Sequence, residues 1–143
     1  MRHPLHPMLA HFPVACWSIA TIADFAKPSA WHLAGSLMWI GALVAVPAIF
    51  VGIFDLIQIP KDPAPVRAGF MHMGVMLMAF LLYLTSVLLR VHEGHIIQPD
   101  IAARIFSVLG FAFLLVGGWL GGTLVYGYGA GGDHKNSETS VEE

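Results

Sequence analysis

Charge is scarce in this sequence. Seven Lys/Arg and nine Asp/Glu are spread over 143 residues, too few to clothe the surface that a soluble chain of this length keeps in water. That scarcity excludes an ordinary water-soluble enzyme. Basic stripes are missing as well, and a net charge of −2 leaves no footprint for a phosphate backbone, so nucleic acid is excluded as a partner. Cysteine occurs once, as Cys16. One thiol makes no intrachain disulfide and no thiolate cluster, and it reads as a small apolar helix residue. Neither a His-x-x-x-His pair nor a metalloprotease Glu is present, so hydrolytic zinc chemistry is unsupported. The N-terminus lacks the order of a cleaved signal peptide, because Arg2 is followed by three prolines and three histidines. The first apolar segment is therefore expected to stay in the mature protein.

What is abundant is apolar surface: 57% of residues are hydrophobic and the mean hydropathy is +0.72, so lipid is the expected solvent. Four runs reach the roughly 20 residues that a helix needs to cross a bilayer core. They are Pro7 to Ala26, Trp31 to Ile59, Arg67 to Val91, and Ile101 to Tyr126. Lys27-Pro28-Ser29, Pro60 to Pro65, and His92 to Asp100 break them. Such short connections force antiparallel neighbours, so residues 1–128 are expected to form an all-α, integral membrane, up-down-up-down four-helix bundle. Residues 129–143 read as a disordered acidic tail in which His134 is simply solvated. The side with the termini would carry Arg2, Lys61, Arg67 and Lys135, against Lys27, Arg90 and Arg104 opposite. The positive-inside rule then leans to termini in the cytoplasm.

Ionisable residues inside a span mark candidate sites. His11 and His72 each lie a little over one turn into the first and third runs. Those helices run the same way, so the two imidazoles are expected at one depth, near the face with the termini. Two neutral imidazoles at one depth suit the axial positions of a haem iron, and a four-helix bundle offers a slot. Gly117 and Gly121, with Gly110, Gly118 and Gly122, would let a flat cofactor approach the fourth helix, or simply another helix. Arg67 and Lys61 stand where propionates would emerge. Asp55 would orient a histidine ring or pair with Arg67 or Lys61. Against this stands plain histidine hydrogen bonding across helices.

His3 and His6 lie beside the same layer, with Met8, Met71, Met73, Met76 and Met78 nearby, and imidazole with thioether suits copper. At the far face His32, His92 and His95 form a looser group with Asp24, Trp31 and Arg90. His92 lies about 30 Å from His72 at 1.5 Å per residue. Interfacial histidines in wet loops explain that group better than a second haem. Pro13 and Pro47 are expected to loosen the first two helices.

His3-Pro4-Leu5-His6-Pro7-Met8-Leu9-Ala10-His11-Phe12-Pro13, Gly52-Ile53-Phe54-Asp55, Arg67 with His72, Leu89-Arg90, and Gly117-Gly118-Trp119-Leu120-Gly121-Gly122-Thr123-Leu124-Val125-Tyr126 together resemble the bacterial predicted membrane proteins grouped as domain of unknown function 2231. The resemblance runs over almost the whole chain up to the tail. It implies a four-helix domain of a prokaryotic membrane, here the bacterial inner membrane. The family's general look is similar to small b-type cytochrome domains, which makes His11 and His72 the implied ligands. A histidine often stands in the family where this chain has Thr123 and Tyr128, so a ligand from the fourth helix is not implied.

The expected function is thus a small b-type-cytochrome-like subunit that carries electrons within the membrane on one haem b, with no catalysis of its own. A quinone or a redox protein would be its partner. The alternatives are a cofactor-free accessory subunit, as a homo-oligomer or in a larger respiratory-type complex, and a protein that binds copper or zinc through His3, His6 and His11.

Overall fold

The structure, a computed structural model, describes residues 5–26, 28–57 and 63–128. The acidic tail, His3, Arg2, Lys27, Lys61 and Lys135 lie outside those residues. Four long helices carry the fold: α1 over Leu5–Ala26, α2 over Trp31–Ile57, α3 over Pro63–Leu88 and α4 over Ile101–Gly122. A 3-10 turn over Pro28–Ala30 precedes α2, and a π-helical turn over Thr123–Gly127 extends α4. All four are long and apolar enough to cross a membrane, as the sequence predicts.

The boundaries differ where local chemistry intervenes. α3 starts at Pro63 rather than Arg67, because Pro63 and Pro65 fall in its first turn, where a missing N–H breaks no helix bond. It stops at Leu88 because Val91–His92 and His95–Ile96 form a two-stranded antiparallel hairpin, β1 and β2. Its two-residue turn places Glu93 at φ 49° and Gly94 at φ 79°, the positive pair that matches strand twist. The hairpin folds back on α2, where Ile96 leaves no room for a side chain at Gly35. The Ile97 amide donates to the Arg90 carbonyl at 2.7 Å. Asp100 caps α4 by accepting from the Ala103 amide at 2.8 Å, as N-terminal capping requires. Pro13 and Pro47 lie inside α1 and α2, and both helices continue through them.

Small residues let the helices approach closely. Ala20, Ala34, Ala42, Ala45, Ala48, Ala79 and Ala103 are buried, with Trp17, Met38, Tyr83, Val87 and Leu114 filling the space between them. Large apolar side chains such as Phe12, Leu43, Phe50, Phe70, Leu115 and Trp119 face outward. In a soluble protein that surface would be an aggregation liability; here lipid covers it.

Candidate functional site

α1 and α3 run parallel and each brings a half-buried imidazole to the end of the bundle where α2 finishes and α3 begins. The residues are His6 and His72, whose ring centroids lie 6.4 Å apart with planes at 86°. His6 Nδ1 lies 3.0 Å from the Ala48 carbonyl of α2. His72 Nδ1 lies 2.9 Å from the Gly117 carbonyl of α4. A carbonyl oxygen only accepts, so each Nδ1 donates, and in the neutral ring the lone pair is then on Nε2. Metal-ligating histidines are usually oriented in this way, through a carbonyl on the far ring nitrogen.

Glycine makes the close approach possible at both rings. A Cβ at Gly52 would lie 2.8 Å from His6 Cε1, and one at Gly121 would lie 3.0 Å from His72 Cε1. Gly117 is covered in turn by Met76. Gly117 and Gly121, expected to face a cofactor or another helix, therefore seat side chains of α3.

The structure does not bring His11 to His72. The His11 ring is exposed, and its Nδ1 donates to the Pro7 carbonyl of its own helix. Arg67 and Asp55 are exposed near the same end, with no side-chain hydrogen bond or ion pair to any described residue. His32 is exposed and stacks on Trp31 at 3.5 Å between centroids. His92 and His95 are exposed partners across the β-hairpin. Among the described residues no group of three or more His, Cys, Asp or Glu could hold a metal ion.

Two further layers lie along the same helix faces. Trp17 and Tyr83 stack at 4.8 Å with planes 10° apart. The Tyr83 hydroxyl lies 2.7 Å from Thr21 Oγ1, and Trp17 Nε1 donates to the Met38 carbonyl at 3.2 Å. Nearer the far face, Arg90 forms a two-pronged pair with Asp24 at 2.7 and 2.5 Å. Both side chains are fully buried. Ser86 and Ser107 add bonds at 3.3 and 3.5 Å to the Arg90 and Asp24 ends. The sequence places Asp24 and Arg90 at one interface without pairing them.

A family model described as predicted membrane protein (DUF2231) matches residues 2–134. No curated protein and no solved structure matches the chain.

Proposed function

The chain belongs to the DUF2231 family of predicted membrane proteins, and on that premise we propose that it is a small membrane electron carrier whose haem b is held by His6 and His72. The observation that carries this reading is the imidazole pair itself. Two rings from parallel helices, each with its Nδ1 proton tied to a backbone carbonyl, leave two Nε2 lone pairs for one metal atom.

When bound, haem would supply reversible one-electron exchange. The chain's part would be to aim both imidazoles through Ala48 and Gly117 and to shut out water with an apolar bundle. His6 replaces His11 in this ligand set. Arg67 remains a candidate to meet propionates, and a quinone or redox protein a candidate partner. We further propose, from the charge balance of the connections, that the protein lies in the bacterial cytoplasmic membrane with its termini inside. A reporter fused to the C-terminus tests that orientation.

A bare copper ion between the same two rings is the second reading, favoured by the way His6, His72 and Met76 already cover Gly52, Gly121 and Gly117. Purified protein should show a reduced-minus-oxidised spectrum of low-spin haem that disappears in His6→Ala and in His72→Ala and persists in His11→Ala. A spectrum retained without His6 would remove the assignment. A haem-free protein with one equivalent of copper would select the second reading, and a colourless, metal-free protein would leave a structural subunit.

A further inference from the structure

Three side-chain pairs that meet across the bundle stand at one sequence interval. His72 follows His6 by 66 positions, Tyr83 follows Trp17 by 66 and Arg90 follows Asp24 by 66. The second helices repeat at an interval of 69. Gly117 follows Ala48 by 69, and these two residues supply the carbonyls that His72 and His6 contact. Gly121 follows Gly52 by 69, and these are the glycines beneath the two rings. Gly110 follows Gly41 by 69, and these seat Tyr83 and Trp17. Buried Ala34 and Ala103, and buried Ala45 and Leu114, are related in the same way.

From these correspondences we infer that the chain is two copies of one helical hairpin, α1–α2 and α3–α4, and that the imidazole pair is a two-fold site with His6 and His72 as equivalent ligands of one metal-centred group. The operation takes α1 onto α3 and α2 onto α4 without reversing direction. Its axis therefore runs along the helices and the membrane normal, the arrangement of parallel repeats in membrane proteins. A residue near such an axis meets its own counterpart, which is why the pairs at interval 66 touch each other. The site on the axis has two halves of the same build: a histidine, a carbonyl on the next helix, and a glycine one turn further on. A group that takes two equal imidazoles fits it, as haem iron or a two-coordinate copper(I) ion does.

The copies differ where identity would be harmful. Two first hairpins would bury Asp24 against Asp24, and two second hairpins Arg90 against Arg90. The charges have instead become opposite, so each hairpin accepts only the other.

The site depends on the reading proposed above, whereas the duplication does not, and the experiment separates them. Full-length protein in detergent is titrated with haem b and, separately, with copper(I) held by a chromophoric chelator. His6→Ala and His72→Ala are expected to weaken binding equally, each beyond the roughly 10- to 100-fold that outer-shell changes cause. Gly52→Ala and Gly121→Ala are expected to weaken it equally and by less, about tenfold. Matched losses with copper alone would retire the haem reading and keep the two-fold site. Haem that depends on His72 but not on His6 would keep an electron carrier and overturn the two-fold site, as would two equivalents per chain. Binding of neither probe overturns the site altogether. The duplication is read from stability instead: Gly41→Ala and Gly110→Ala, which crowd the counterpart rings of Trp17 and Tyr83, should lower the thermal midpoint of the metal-free protein to a like extent. A loss confined to one of the two overturns it.

Discussion

At the scale of single residues the buried ion pair is the most exacting contact in the bundle. Asp24 and Arg90 are both fully excluded from solvent, so each charge is tolerable only in the presence of the other. Removing one partner from a buried pair costs about 3–5 kcal/mol, whereas replacing both by apolar groups is often neutral. Asp24→Leu and Arg90→Leu should each lower the thermal midpoint in detergent, and the double variant should recover most of the loss. A double variant as unstable as the worse single one would show that Ser86, Ser107 or another neighbour needs the charges. The same face explains what was legible about the site. Depth in the membrane follows from counting residues, and His72 was found that way. Azimuth does not, and His11 lies about 140° round α1 from His6 at 100° per residue. His6, Trp17 and Asp24 share one face, as do His72, Tyr83 and Arg90. The buried charge at Asp24 identifies which face of α1 turns inward, and only His6 lies on it.

Among the elements, the helices were readable because apolar length alone announces a span. The connection after α3 was not. His92 to Asp100 reads as a polar break, yet it forms a hairpin because Glu93-Gly94 accepts two consecutive positive φ angles and Ile96 has a seat on Gly35. Gly94→Val places a β-branched side chain at φ 79°, where backbone sterics oppose it. Amide exchange at Ile97, whose N–H is held by the Arg90 carbonyl, should accelerate at least about tenfold, the equivalent of 1.4 kcal/mol. Exchange at the capped start of α4 should change little. The helix contacts fail differently. Gly41 and Gly110 admit Trp17 and Tyr83 so closely that an added Cβ would lie 2.5 and 2.9 Å from the nearest ring atoms. Gly41→Leu and Gly110→Leu should therefore reduce folded yield in membranes, while Gly118→Leu, where a Cβ meets nothing within 4 Å, should not.

For the molecule as a whole, the side-chain links from α1 to α3 collect on one line, at the imidazoles, the aromatic stack and the ion pair. The hairpins are held together internally by close packing of α1 on α2 and of α3 on α4 through small residues. A change on the line should therefore loosen hairpin against hairpin before it loosens either hairpin. Spin labels at Ala15→Cys and Leu81→Cys, in a Cys16→Ser background, report on α1 and α3 from two lipid-facing positions. Labels at Ala15→Cys and Leu43→Cys report on α1 and α2 within one hairpin. Tyr83→Leu keeps the centre apolar but removes the stack on Trp17 and the bond to Thr21. The α1–α3 distance distribution should broaden in that variant while the α1–α2 distribution keeps its width. Equal broadening of both would mean that the four helices form one undivided packing unit, with no independent hairpins within it.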